Sequence, residues 1–418
     1  MSVNESKKWT LFFLITVIFI DFMGMATVVV IFPKLLLESN FIFSVAMSDS
    51  QRLWWMGVLL AIYPFGQIVG ASVFGKLSDY YGRKKLLVST LLGTLVGFIL
   101  SGFAIEMSLP IVLFASRLLA GLCAGNVAIA QASLSDISNE KTKTKYIALG
   151  QTAMGSAYIV GPILGAILSE STTVSWFNSA TPFWFFSLLL ALLTLATASL
   201  YKETLVQPKR EKIVLLGGLK QIYSALTDSR LGGAFLVWLI FVSGWWLFES
   251  FMPAFLLQNF HFSTVQIGNV LSFNGALYAG FQFLVVQRVA QYIKPESMIK
   301  YSGCFVAFSI ISLAYVGSTL ELYMAMSVFV MSMGFMIPGL ISYISSQASD
   351  NEQGQVMGMV NSIQAVSTVI VMMLGGYLNA INNGITILGG GLLVLFSWLL
   401  FIGLVGKKTQ RSVYAADA

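Results

Sequence analysis

The 418-residue sequence carries little charge, since Asp, Glu, Lys and Arg make up 10% of it, against about a quarter of a typical soluble domain. It has one histidine, His261, and two cysteines, Cys123 and Cys304. A single histidine argues against a histidine-based metal cluster. Both cysteines fall inside predicted apolar helices, which argues against a disulfide framework. The sequence therefore predicts no metal site and no cofactor.

Hydrophobic residues are abundant instead, at 57% of the sequence with a mean hydropathy of +0.81. Apolar runs of about twenty residues recur along the whole chain, and the alternating pattern of barrel strands is absent. We predict an all-α polytopic membrane protein with twelve transmembrane helices in two six-helix halves. The first six spans are predicted at 9–33, 53–75, 86–105, 109–132, 146–168 and 181–201. The other six are predicted at 231–256, 266–288, 299–317, 321–346, 355–379 and 384–405.

The basic residues are distributed unevenly between the loops. The predicted spans place both termini and the loops after even-numbered spans on one side of the membrane. Of the 24 Lys and Arg residues, only Lys34, Arg52 and Arg117 lie elsewhere. Because positive charge marks the cytoplasmic face, both termini are predicted to be cytoplasmic. The net charge of +6 is thus a topology signal, and no nucleic-acid partner is predicted.

A polar segment divides the chain into a half at 1–201, a cytoplasmic linker at 202–230 and a half at 231–418. Residues 213–226 of this linker are predicted either as an amphipathic helix on the membrane surface or as part of a solvated connection. The two halves resemble each other at a shift of 212 residues, which places Gly75 on Gln287 and Glu140 on Glu352. Such duplication is typical of secondary transporters, whose substrate site lies near the midplane between repeats.

The stretch GKLSDYYGRKKLL, residues 75–87, concentrates charge between the second and third predicted spans. Gly75 and Gly82 provide a flexible backbone for a short connection. Arg83 and its two neighbouring lysines keep the loop on the cytoplasmic side. The Asp79 carboxylate has no topological use, but it can accept hydrogen bonds from Arg83 or lie at a helix N-terminus. The stretch therefore predicts a charged hairpin that can hold another loop.

This stretch resembles the signature loop of the major facilitator superfamily, G-x-L-x-D-x-x-G-R-K. The matching positions are Gly75, Leu77, Asp79, Gly82, Arg83 and Lys84. ASRLLAGLCAG, with Arg117 and Gly121, resembles the fourth-span motif of that family. GQTAMGSAYIVGPILGAIL resembles the fifth-span motif of its antiporters. That motif is carried by Gly155, Gly161, Pro162 and Gly165.

Two further stretches, IDFMGMATVVVIFP and FHFSTVQIGNVLSFNGALY, resemble the tetracycline-efflux branch of the drug:proton antiporters. The chain departs from the family at 287–298, where the second signature copy lacks the acid and both glycines. It departs again at Gly165-Ala166, where two glycines are usual. The resemblance implies a multi-pass protein of the bacterial inner membrane that acts as a monomer on a small molecule and protons.

The resemblance also implies a conformational latch around the signature loop. Asp79 and Arg83 are expected to act with Asp136, at the end of span four, and with the start of span eleven. The loop before span eleven contains Asp350 and Glu352 and no basic residue, so a basic first half would face an acidic loop. Along span five, the motif glycines predict close helix packing. The resemblance to the family implies that this packing also forms a barrier against leak.

Three charged residues are predicted well inside spans: Asp21, Arg117 and Glu249. A charge at a helix centre costs about 2.5–3.5 kcal/mol or more, so each predicts a functional role. Asp21 and Arg117 lie at the same depth, about 18 Å from the inner helix ends, and could pair. Asp21 is the predicted proton carrier, switched by Arg117 or by a substrate. The alternative for Arg117 is a static pair that joins two helices.

Glu249 is the competing proton carrier, or an acid that extends to the outer surface. Trp238, Trp245 and Trp246 lie within one broad helical face of it. An acid beside indole rings suits a lipophilic cation, and an interfacial aromatic belt explains the same tryptophans.

These features predict a secondary active transporter that exports small amphipathic compounds or drugs in exchange for protons. The alternative within the same fold is a proton-coupled symporter that imports a nutrient or a siderophore. An enzyme is not predicted, because the spans lack a convergent nucleophile, base or metal ligand set. A receptor is not predicted either, because no loop is long enough to form a soluble domain.

Overall fold

The computed structural model describes residues 3–38, 47–139, 142–205, 217–228, 230–349, 352–382 and 384–416. Within these ranges the regular structure is helical and contains no strand, which confirms the predicted all-α class. Eleven helices in these ranges are long and apolar enough to cross a membrane. Helices dominate because lipid offers no hydrogen bonds, so each segment must satisfy its own backbone groups.

The helices are labelled in chain order. Those up to residue 200 are α1 (Val3–Pro33), α2 (Asp49–Tyr81), α3 (Arg83–Glu106), α4 (Pro110–Cys123), α5 (Gly125–Asp136), α6 (Lys143–Ser169) and α7 (Thr181–Leu200). Those after it are α8 (Gly217–Thr227), α9 (Gly232–Phe260), α10 (Thr264–Phe281), α11 (Gln287–Val289), α12 (Pro295–Leu313), α13 (Thr319–Ser346), α14 (Gln353–Ile381) and α15 (Ile385–Ala416). Two π-helical segments, Lys34–Glu38 and Gln282–Val286, directly follow α1 and α10. A 3₁₀ turn, Ala290–Tyr292, follows α11.

Two helix starts show why the sequence places them there. Ser48 accepts a hydrogen bond from the main-chain N–H of Gln51 at 3.3 Å, and the Gln51 side chain accepts from Ser48 N at 3.1 Å. Ser318 and Glu321 form the same reciprocal pair at the start of α13. These capping boxes satisfy N–H groups that the first helical turn leaves free.

Three predicted spans differ from the observed helices, and one of them, span eight at 266–288, is interrupted by the π-helical segment Gln282–Val286. Span four is split into α4 and α5 at Ala124. Span nine was predicted at 299–317, whereas α12 begins and ends four residues earlier. Glu296 and Lys300 lower the hydropathy of α12, and this helix is not among the eleven that meet the criteria for a membrane span.

The chain forms two compact units. The first comprises Met1–Leu216 and Leu256–Gly275, and the second comprises Gly217–Phe255 and Ala276–Ala418. The predicted linker at 202–230 contains the first division between them. In the second unit, α8 occupies the later part of the predicted amphipathic stretch 213–226 and packs against α14. Residues 213–216 lie outside the described ranges.

In the first unit, α1 packs against α6 through glycines of the predicted antiporter motif. A methyl group on Gly161 would lie 2.7 Å from the Met23 carbonyl oxygen, and one on Gly165 would lie 2.9 Å from that of Thr27. The Thr27 hydroxyl donates to the Gly161 carbonyl at 2.8 Å. Because lipid is as apolar as leucine, such small-residue contacts and interhelical hydrogen bonds must hold the helices together.

The contact between α2 and α4 is equally close. A methyl group on Gly66 would lie 2.7 Å from Leu122 N, and one on Gly70 would overlap the Leu122 carbonyl. Gly121 lies against the Tyr63 carbonyl in the same way. These three glycines let the two backbones touch.

The second unit uses similar contacts. Gly244 on α9 and Gly390 on α15 face each other's carbonyl groups. Ser397 donates to the Val237 carbonyl at 2.8 Å, and the Trp398 indole donates to the Lys300 carbonyl at 2.8 Å. Polar side chains of α15 are thereby satisfied by the main chains of α9 and α12.

Gly70→Ala should lower the stability of the purified protein by about 1–3 kcal/mol, because the added methyl group overlaps the α4 backbone. Gly403→Ala is the matched control, since nothing lies within 4 Å of the site in α15. Thermal unfolding in detergent measures both variants. Equal unfolding midpoints for the two would contradict this description of the α2–α4 contact.

Candidate functional site

Two of the three predicted intramembrane charges lie in the first unit and are buried. Asp21 on α1 is 8% exposed, and Arg117 on α4 is 1% exposed. Burial of a charge in an apolar interior requires compensating polar contacts. The partners of these two side chains therefore decide what they can do.

Asp21 is bonded by neutral side chains. The Asn126 amide donates from Nδ2 to Asp21 Oδ1 at 3.1 Å. The Tyr63 phenol is a second hydrogen-bond partner of the same carboxyl group. Asn126 lies on α5, which begins directly after the break in span four at Ala124 and packs against α1.

Arg117 is held by aromatic rings. Its guanidinium carbon lies 4.9 Å from the Tyr63 ring centre and 5.3 Å from that of Phe98. Among the residues that the structure describes, it forms no ion pair with a carboxylate. Its Nε and Nη1 atoms have no hydrogen-bond partner.

The predicted direct pairing of Asp21 with Arg117 is therefore wrong for this conformation. Tyr63 contacts both groups, with its hydroxyl at the carboxyl group and its ring at the guanidinium. Attraction between the cation and the ring faces offsets part of the cost of burying Arg117.

The signature loop forms a second polar cluster, with Arg83 at its centre. Arg83 Nη1 lies 2.6 Å from Asp79 Oδ1, and Arg83 Nε lies 2.9 Å from Asp136 Oδ2. Nη1 also donates to the Ser78 hydroxyl at 2.6 Å. The structure thus brings together the three residues expected to act as one group, on α2, α3 and α5.

Glu203, which sequence analysis did not single out, completes this cluster. Its carboxylate accepts from the main-chain N–H groups of Arg83 and Lys84 at 2.9 Å and 3.0 Å. These N–H groups begin α3, where a negative charge is favoured. Gly82, with φ +102°, makes room, since a methyl group there would lie 2.6 Å from Glu203 Oε2. The position of Glu203 directly after span six was the sequence feature from which this role could have been predicted.

Glu352, which was predicted to contribute to the latch from the loop before span eleven, lies in the second unit. Glu352 pairs with Arg230 at 2.7 Å and accepts from the Ser349 hydroxyl at 2.8 Å. The Arg230 hydrogen bond, supported by Ser349, lowers the pKa of Glu352 to about 2. Asp350 lies outside the described residues. The expected action of Asp350 and Glu352 with the signature loop stays a prediction.

The residues of the predicted antiporter motif on α6 differ in what they contact. Gly161 and Gly165 lie against α1, whereas nothing lies within 4 Å of a methyl group built on Gly155. On another face of the helix, Gly268 approaches the Pro162 carbonyl and the Ala166 side chain. The unusual Ala166 is thus accommodated by a glycine of α10.

Glu249 lies in the second unit and bonds to Trp245 on its own helix. The Trp245 and Trp246 rings are stacked, with centres 5.3 Å apart. Trp238 is 1% exposed, and its indole donates to the Val360 carbonyl at 3.1 Å. This contact accounts for Trp238 as a packing residue between α9 and α14.

The second unit also contains a cavity of about 570 Å³ that sequence analysis missed. Its walls belong to α10, α13, the start of α14 and the π-helical segment. They contain no acidic or basic side chain. The lining residues are Tyr278, Gln282, Ile337, Pro338, Ile341, Ser342, Ser345, Ser346, Gln353 and Met357. Two signals were available, because Tyr278 and Gln282 are polar within an apolar span, and π-helical turns are frequent at functional sites.

Comparison with known proteins decides the family. The model of the Major Facilitator Superfamily matches residues 14–372. This chain belongs to the major facilitator superfamily. The predicted resemblance is therefore confirmed, and the family is one of transporters.

Relatives of this major facilitator protein include the class H tetracycline resistance protein of Pasteurella multocida, 26% identical over 87% of each chain. Multidrug resistance protein 1 of Bacillus subtilis (strain 168) is 27% identical over 90% of each chain. The solved human organic anion transporter MFSD10 superposes with a TM-score of 0.69 at 17% identity, over 94% of this chain and 99% of that one. The similarity to this solved structure concerns the fold alone.

In this major facilitator protein, Arg83→Lys should destabilise the first unit by about 1–3 kcal/mol. One ammonium group cannot replace the separate bonds that the guanidinium makes to Asp79, Asp136 and Ser78. Lys85→Ala, at an exposed position on the same helix, is the control. Thermal unfolding of purified variants measures the effect, and wild-type stability of Arg83→Lys would refute it.

Proposed function

We propose that this protein exports small amphipathic compounds in exchange for protons, with Asp21 as the proton carrier. The observation that carries the proposal is the hydrogen bonding of buried Asp21 to a neutral amide and a neutral phenol. A carboxylate paired directly with a cation stays ionised, whereas one with neutral partners can exist in either protonation state. An intramembrane acid of this kind suits a proton relay.

Arg117 contributes to this site from a distance. Its guanidinium contacts the ring of Tyr63 and forms no ion pair with Asp21, and a nearby cation favours the ionised form of an acid. Movement of the α4 guanidinium relative to α1 would then change the proton affinity of Asp21 during the transport cycle. Glu249 remains the competing carrier, because it too is an acid inside a span with a neutral partner.

The direction of transport is proposed from the relatives and from α6. The relatives named above are resistance proteins for tetracycline and for multiple drugs by their names. The α6 glycines of the antiporter motif pack against α1, the helix that carries Asp21. Proton-coupled import of a nutrient or siderophore is the alternative. Inside-out vesicles with an acidic lumen distinguish the two. An exporter that exchanges compound for protons accumulates the compound in the lumen, whereas a symporter does not.

The signature-loop cluster is proposed as one half of the conformational latch. Asp79, Arg83 and Asp136 form a preorganised group. In the proposed cycle this group engages the acidic loop that holds Asp350 and Glu352, on the side of the membrane that is predicted to be cytoplasmic. An isolated exposed ion pair is worth about 0–1 kcal/mol, so a latch requires a network of this kind.

Asp21→Asn should reduce pH-gradient-driven transport of tetracycline or ethidium in proteoliposomes to the level of protein-free liposomes. An amide mimics the protonated acid permanently and cannot release a proton. Asp49→Asn, which removes an exposed acid at the start of α2, is the matched control and should transport normally. Glu249→Gln is measured alongside.

Gradient-driven transport retained by Asp21→Asn and lost by Glu249→Gln would move the coupling site to the second unit. Binding of the test compound to detergent-purified Asp21→Asn separates a coupling defect from a folding defect, because binding requires no proton gradient.

The uncharged cavity of the second unit is proposed to contact the substrate. Its volume lies within the usual range for small-molecule sites, about 300–1,000 Å³. Tyr278, Gln282 and the serines of α13 offer hydrogen bonds, and Ile337, Ile341 and Met357 offer apolar surface. This combination suits an amphipathic compound.

Gln282→Leu should weaken binding of tetracycline or ethidium to the purified protein by roughly 3–10-fold, the worth of one hydrogen bond. Gln287→Leu is the control, since Gln287 is exposed and lies outside the cavity. Equilibrium binding by fluorescence provides the measurement. Equal affinities of the two variants for every compound tested would remove the cavity from the proposed substrate path.

A further inference from the structure

Of the two polar atoms in the Asn126 side chain, the nitrogen has a hydrogen-bond partner and the oxygen has none. The side chain is fully buried, at 0% exposure. Nδ2 donates to Asp21 Oδ1 at 3.1 Å, whereas the carbonyl oxygen Oδ1 has no hydrogen-bond partner. A buried polar atom without a partner is unfavourable and requires an explanation.

The chemistry of Asp21 supplies that explanation. An ionised carboxylate only accepts hydrogen bonds, so it uses the amide N–H of Asn126. A protonated carboxyl group also donates through its O–H and then needs an acceptor. The Asn126 carbonyl oxygen is such an acceptor, and rotation of the amide by half a turn exchanges the positions of its nitrogen and oxygen.

We propose that Asn126 is a positioning residue for proton exchange at Asp21, with an amide that donates to the carboxylate and turns to accept from the carboxylic acid. This inference rests on the proposed role of Asp21 as the proton carrier. The proton passes from a hydronium ion to one carboxylate oxygen, so one O–H bond breaks, one O–H bond forms, and a water molecule is left. Because both protonation states are then hydrogen-bonded, neither form of the buried acid is left unsatisfied.

The other polar groups around Asp21 lack this combination. Tyr63 on α2 can accept from the acid only if its own O–H finds another acceptor. Arg117 on α4 is a permanent cation and only donates. Tyr158 on α6 lies beside α1, with its ring centre 5.9 Å from that of Phe22, and its phenol has a single O–H donor, as that of Tyr63 does. Asn126 on α5 is the neighbour with a free acceptor next to a bond already made.

Infrared difference titration of the detergent-purified full chain tests the inference. Protonation of Asp21 produces a carboxylic C=O band whose frequency rises when the O–H loses its hydrogen bond. Asp21→Asn assigns the band by removing it. Asn126→Leu, which keeps the number and branching of the side-chain heavy atoms but has no polar atom, should raise its frequency. Asn126→Thr, which keeps a donor and an acceptor, should raise it less.

The midpoint of the band's titration gives a second readout that a purely structural role would not move. Asn126→Leu removes one bond to the ionised form and one to the neutral form. Because bonds to charged groups are the stronger ones, the midpoint should move upward by roughly one pH unit. Asn126→Ala provides the same comparison without the added bulk of the leucine methyl groups, should the leucine variant fail to fold.

Three results would overturn the inference. A band that disappears in Asp21→Asn but keeps its frequency and midpoint in Asn126→Leu and Asn126→Ala refutes the role of Asn126 and leaves Asp21 as the titrating group. Equal shifts in the leucine and threonine variants refute it as well, because volume would then control the band. A band that persists in Asp21→Asn refutes both this inference and the proposed function.

Discussion

Close approach of helix backbones at glycine is the contact on which the polar sites of the first unit depend. Lipid supplies no hydrophobic force between helices, so packing and interhelical hydrogen bonds must hold them. Gly66, Gly70 and Gly121 bring α2 against α4, and Gly161 and Gly165 bring α6 against α1. A wider separation would put the side chains around Asp21 beyond hydrogen-bonding distance.

Two polar sites of the first unit use charge in opposite ways. At the signature loop, one guanidinium binds two carboxylates, and a third carboxylate caps α3, so α2, α3, α5 and the chain after α7 are joined. Inside the helices, Asp21 has neutral partners and Arg117 has aromatic ones. Paired charges fix a geometry, whereas neutral partners leave a protonation state free to change. The first arrangement suits a structural latch and the second suits the proposed proton exchange.

The second unit is organised differently around its acid and its cavity. Glu249 bonds to a tryptophan of its own helix, while the cavity in the same unit is lined by uncharged side chains. The π-helical turn that contains Gln282 packs against α13, and Gln282 lines the cavity together with Pro338 of α13. Irregular helices at membrane depth are tolerated where they line a cavity, because water or a ligand can satisfy the freed backbone groups.

The sequence by itself determined the all-α class, the family and the approximate spans, because hydropathy and motif spacing are local properties of the chain. Only the tertiary structure decided that Asp21 bonds to Asn126, 105 positions away, and that Glu203 caps α3. Depth along a helix follows from counting residues, and it placed Asp21 level with Arg117. The rotation of a helix about its axis does not follow from counting residues, because it depends on which face of the helix packs at the glycine contacts. That rotation put Tyr63 in contact with both charges and left them without a direct ion pair.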